Sequence, residues 1–133
     1  MTPHQVQLIK KSWRVFQKIN PETVADVFYS KLFSEQPSLR KMFPKEMQTQ
    51  YQKFMDMMHS MIARLDQVET LENDLQAMGE RHKGYGVKDH HYGVVGESLI
   101  WTLEKGLGAD FTEELREAWL ACYQIIARKM TST

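Results

Sequence analysis

Of the five histidines in this 133-residue chain, one stands where its chemistry could matter. It closes the stretch MGERHKGYGV at residues 78–87, where Leu71, Leu75, Met78 and His82 recur at steps of four, three and four. At about 100° per residue these positions share one helix face, so His82 points with three apolar residues toward the core. Two readings follow. A core histidine would bond a backbone carbonyl, as buried polar groups do. A metal ligand would give one ring nitrogen to the metal and bond the other N–H to a carbonyl one turn back, near Met78. A zinc site needs three or four ligands, and the other histidines supply none. His90 and His91 adjoin at a helix start and are expected to diverge, while His4 and His59 are isolated and expected to be solvated or half-buried. A lone inward histidine suits a metal whose other ligands come from a macrocycle, as in haem.

Upstream, FYSKLFSEQPSLRKMFPKEMQTQYQKFM supplies residues that could face such a group. Tyr29 lies eight residues before Pro37, Phe43 six after it, and Gln50 and Phe54 follow one helical turn apart. Taken singly, these are an ordinary helix-face aromatic, a core aromatic and a surface amide. In this order and spacing the chain resembles the globin family, in particular single-domain bacterial globins similar to the haem domain of flavohaemoglobins. The resemblance runs from LIKKSW to AWLACYQIIARKM. It implies that Pro37 opens a short third helix, Phe43 stacks on the haem and His82 is the proximal iron ligand. It also implies that Tyr29 and Gln50 form the distal hydrogen-bonding pair, with Phe54 a bulkier residue where an aliphatic one is usual. Tyr92, in HYGVVGESL, matches the tyrosine that orients the proximal imidazole. Lys53 and Arg81, one residue or one turn from the pocket, are candidates to pair with haem propionates.

One departure bears on the chemistry. Many such relatives carry a late glutamate that makes the proximal histidine more basic, as peroxidases require. Here no carboxylate follows Glu117, and Thr133 stands about where one would be expected. Reversible binding of oxygen, nitric oxide and carbon monoxide at a five-coordinate iron is therefore expected, rather than peroxidase chemistry. No C-x-x-C-H motif is present, so the haem would be b-type and non-covalent. Without a Gly-rich dinucleotide fingerprint, turnover of nitric oxide would need an external reductase. The rival readings are a haem-based gas sensor signalling to a separate partner, and a haem-free helical interaction module.

The elements that must position these residues are helical. Pro3, Pro21 and Pro37 follow Thr2, Asn20 and Gln36 at helix starts, and Pro44 helps end the short piece 37–43. Val6, Ile9, Trp13 and Phe16 form one stripe; Val24, Phe28 and Leu32 form another. From about 47 to 66 the stripe is Tyr51, Phe54/Met55, Met58, Met61/Ile62 and Leu65, with the methionines read as gap-fillers. A helix opening near Asp89 carries Tyr92, Val95, Leu99 and Leu103 and stops at Gly106 and Gly108. The last starts at Thr112 and shows Leu115, Trp119, Cys122/Tyr123, Ile126 and Met130. No β alternation appears, so the expectation is all-α: one domain, residues 1–133, of about seven helices in a three-over-three globin sandwich.

Composition narrows the partners. Seventeen basic residues balance seventeen acidic ones, with no basic stripe for nucleic acid or anionic membrane. The single Cys122 excludes an internal disulfide and is read as a small apolar filler. With no apolar run of signal-peptide or membrane-spanning length, a soluble, cytoplasmic protein is expected.

Overall fold

Side-chain caps set the helix starts. Thr2 Oγ1 accepts from the Gln5 N–H at 3.1 Å while the Gln5 amide oxygen accepts from the Thr2 N–H at 3.0 Å, a reciprocal cap with Pro3 as the first helical residue. Asn20 caps the next helix through the Glu22 N–H at 2.9 Å, again just before a proline. Thr112 Oγ1 receives the Leu115 N–H at 3.2 Å at the start of the last helix.

The computed structural model describes residues 1–131, and among these there are six α-helices and no strand. They are α1 (Pro3–Gln17), α2 (Pro21–Glu35), α3 (Gln48–Ala63), α4 (Glu72–Gly84), α5 (His91–Leu107) and α6 (Glu113–Thr131). Short 3-10 segments span Pro37–Met42, Leu65–Leu71 and Gly108–Asp110. The first of these is the short piece expected after Pro37. Two boundaries differ from the sequence reading. The helix expected to reach residue 66 stops at Ala63, and the backbone leaves helical geometry at Gln67 (φ −130°, ψ 49°), so Leu71 precedes α4 rather than lying within it. In turn α5 runs through Gly106 and ends at Leu107, where Gly108 adopts φ +55°.

The helices pack as the expected all-α sandwich: α2 lies against α5 and α3, and α6 against α4, α1 and α5. Ile9, Trp13, Phe16, Met55, Leu103 and Trp119 fill the centre. Both buried indole N–H groups find acceptors: Trp13 donates to His59 Nδ1 at 2.9 Å and Trp119 to Ser12 Oγ at 3.0 Å. The stripe expected on α5 is too narrow. Because that helix is sandwiched, Ser98, Ile100 and Thr102 are buried as well, and the two hydroxyls return to carbonyls one turn back. Tyr92 and Val95 are only half-buried.

The placement of α4 matters most for the site. It lies against α6, and the α3 and α4 backbones do not approach each other among the described residues. A Cβ at buried Gly79 would overlap the Met130 carbonyl of α6, so only glycine permits this approach. Side chains bridge the space between α3 and the start of α4, with Met61 of α3 clustering with Leu71 and Leu75. Arg64 straps the corner through Asp74 Oδ2 at 3.0 Å and the Thr70 carbonyl at 2.7 Å.

Two glycines of α4 should therefore behave oppositely. Gly79→Ala must push backbone against backbone and should cost about 1–3 kcal/mol in urea unfolding. A Cβ at Gly84 meets nothing within 4 Å, so Gly84→Ala should be neutral or stabilising by up to about 1 kcal/mol. Equal effects would place α4 away from α6.

Candidate functional site

The wall formed by α2 and α3 is aromatic. Tyr29, 4% exposed, sits in edge contact with Phe28, Phe43 and Phe54, with Tyr51 stacked on it at 5.7 Å between centroids. Phe43 also meets Phe33, and Phe54 stacks on Phe28 at 4.4 Å and 11°. Half-buried Gln50, on the first turn of α3, donates its Nε2–H to the Tyr29 hydroxyl oxygen at 2.9 Å. The direction of that bond is informative. The phenol oxygen accepts, and among the described residues no acceptor takes the Tyr29 proton. Burial pushes the Tyr29 hydroxyl up to about 12, partly offset by the Gln50 bond, so it stays a neutral donor at physiological pH.

On α4, His82 Nδ1 lies 2.7 Å from the Met78 carbonyl oxygen, the partner expected from the sequence. A carbonyl can only accept, so Nδ1 carries a proton, and in the neutral imidazole the lone pair is then on Nε2. The ring is half-buried, with Tyr85 beside it at 6.0 Å. The helix ends at Gly84, and Gly86 turns the chain with φ +92°. Arg81 and Lys53 are exposed, and neither is ion-paired to protein among the described residues. Tyr92 is half-buried on the first turn of α5, where its carbonyl accepts from Tyr123; no hydrogen bond joins it to His82 among the described residues. Thr133 lies outside the described residues.

Between α3 and α4 there is a cavity of about 230 Å³ lined by Met57, Met61, Leu75 and Met78, with Arg64 and Asp74 at one side. Ser60 and Leu71 complete its lining, which includes neither His82 nor the Tyr29–Gln50 pair. The remaining histidines are used elsewhere. His59 accepts from Trp13, and His4 lies 3.6 Å from Glu114 at the surface. The His90 and His91 rings do not diverge but lie 4.2 Å apart, because buried His91 turns inward to accept the Lys88 N–H at 2.9 Å. Burial, with His90 and Lys88 nearby, holds the His91 pKa down. No cluster of three His, Cys, Asp or Glu side chains could hold a metal among the described residues.

A histidine able to offer Nε2 and a buried tyrosine with a spare proton are a fitting donor set for haem and not for a bare ion. Comparison with known proteins agrees: the family model Globin matches residues 26–130. The chain belongs to the globin family. Neuroglobin-1 of Oncorhynchus mykiss is 31% identical over 98% of this chain and 91% of its own length. Neuroglobin of Danio rerio is 31% identical over 93% and 86%. Among solved structures, an engineered carbene transferase from Rhodothermus marinus, whose name also carries nitric oxide dioxygenase, superposes with TM-score 0.85 at 25% identity. That match covers 98% of this chain and 91% of the other. A hexacoordinated haem protein from an anhydrobiotic tardigrade also gives TM-score 0.85, over 98% and 92%; at 20% identity the likeness is one of fold. Globin membership supports haem-based binding of diatomic gases.

Two residues of this wall lie outside the set drawn from the sequence. Tyr51 donates to Asp26 Oδ1 at 2.9 Å while stacking on Tyr29. The signal was present, since Asp26 lies one turn before Tyr29 and Tyr51 next to Gln50. An exposed carboxylate three residues from a buried tyrosine is nevertheless ordinary in sequence.

The buried tyrosine has a signature in alkali. Its folded pKa is raised, so the folded form holds its proton longer than the unfolded chain. Its contribution to stability is complete below about pH 10 and is lost as pH rises through about 12. The stability difference between wild type and Tyr29→Phe should stay flat up to about pH 10, then shift against wild type by at most about 3 kcal/mol. A flat difference beyond pH 12 would mean that Tyr29 is solvated.

Proposed function

We propose that this globin holds one non-covalent b-type haem through His82 and binds oxygen reversibly, with Tyr29 and Gln50 as the donors on the opposite side. Haem supplies an iron that takes up oxygen, nitric oxide or carbon monoxide at an open position. The observation that carries this reading is the direction of the Gln50–Tyr29 bond: Gln50 donates, which leaves the phenol proton for a ligand. The pocket's other groups support a five-coordinate resting iron. Gln50 is a weak ligand already engaged with Tyr29, and Tyr29 is held protonated by burial.

On the proximal side, the neutral Met78 carbonyl fixes the ring and tautomer of His82 without the charge a carboxylate would bring. His82 therefore remains an ordinary imidazole donor, which favours reversible binding over peroxidase chemistry. Tyr92 flanks the proximal loop, and Phe43 and Phe54 supply flat apolar surface. Lys53 and Arg81, exposed and unpaired with protein, are suited to the haem propionates. Turnover of nitric oxide is compatible with the same residues. One nitric oxide, one oxygen and one electron give one nitrate, and the electron would come from an external reductase.

Tyr29→Phe tests the reading because it removes only the hydroxyl. A donor bond in a dry pocket is worth about 1–2 kcal/mol, so the oxygen dissociation rate should rise about tenfold. Carbon monoxide draws little charge, and its kinetics should change much less. Equal changes for both gases would make Tyr29 a steric gate and overturn its role as donor.

A further inference from the structure

Two bonds tie α2 to α3 beside each other. Inside, Gln50 meets Tyr29; outside, the neighbour of Gln50 meets a residue one turn before Tyr29, as Tyr51 donates to Asp26. The outer pair differs in character from the ring contacts of this interface. Phe28 on Phe54 is a stack of two apolar rings, which tolerates sliding, whereas a phenol on a carboxylate is directional. The Tyr51 ring also covers Tyr29 at 22° between planes, so Tyr29 cannot swing without displacing it. Burial and the Asp26 carboxylate push the Tyr51 hydroxyl up, which keeps it a donor.

We propose that Tyr51 and Asp26 are positioning residues for the distal pair: their bond holds the Tyr51 ring over Tyr29 and fixes the first turn of α3, so that Gln50 donates to Tyr29 and the phenol proton stays free. The inference rests on the proposed role of Tyr29 as ligand donor. The position of the Gln50 amide, however, can be read independently of that role.

The test uses the haem-loaded ferrous protein with carbon monoxide, which is diamagnetic. In its ¹H–¹⁵N spectrum the Gln50 side-chain amide reports its bond to Tyr29. Tyr51→Phe and Asp26→Ala should both move that amide toward the shift of a solvated glutamine. Asp26→Asn keeps an acceptor oxygen and should leave it near the wild-type position. In oxygen kinetics, Tyr51→Phe should raise the dissociation rate about threefold. It should add nothing in a Tyr29→Phe background, because it acts through that hydroxyl. An unmoved Gln50 amide in Tyr51→Phe overturns the proposal, as does the same rate increase with and without the Tyr29 hydroxyl. A rise in the association rates of both gases would make the pair a gate and also overturns it. If Tyr29→Phe itself leaves oxygen dissociation unchanged, the reading of Tyr29 as donor fails, while the Gln50 amide still decides what Tyr51 does.

Discussion

The helix carrying His82 is supported from behind. Its close partner is α6, reached where Gly79 lets the α4 backbone come against the Met130 carbonyl, and the backbone of α3 stays clear of it. Everything proposed for the site depends on that asymmetry. If α4 packed on α3, the methionines and leucines between them would close into one core and leave no cavity there. Instead Met61, Leu71 and Leu75 meet through their side chains beside that cavity, and the Arg64 strap holds the corner.

Hydrogen-bond accounting supports the roles proposed for the polar groups of the site. Each buried donor or acceptor must find a partner. His82 spends its Nδ1 proton on Met78 and is left with a lone pair; Tyr29 spends a lone pair on Gln50 and is left with a proton. One group is then an electron-pair donor, suited to iron, and the other a proton donor, suited to a ligand drawing charge. The two local bonds give the two helices opposite chemical character.

How much of this the sequence disclosed depends on how local each cause is. Helix starts were legible because Thr2, Asn20 and the prolines that follow them act within three residues. The Met78 partner of His82 was legible because i to i−4 geometry is fixed by the helix itself. Less accessible were features set by another element. The break at Gln67, the buried hydroxyls of α5 and the inward turn of His91 all depend on what packs opposite. The role of Gly79 was hidden for the same reason, since a helical glycine shows its meaning only when the facing backbone is known. Phe43, Gln50 and Phe54 were picked out by the resemblance to globins, but their contacts with Tyr29 come from the packing of α2 against α3 and the segment before it.

In the proposed site His82 alone ties the iron to the protein, its ring oriented by the Met78 carbonyl. The iron–histidine stretch in the resonance Raman spectrum of the deoxygenated ferrous protein measures this directly. It should fall in the range of oxygen carriers, vanish in His82→Gly and return when free imidazole is added. A band surviving unchanged in His82→Gly would assign the iron to another residue, and a frequency in the peroxidase range would contradict the neutral carbonyl as the sole partner of the ring.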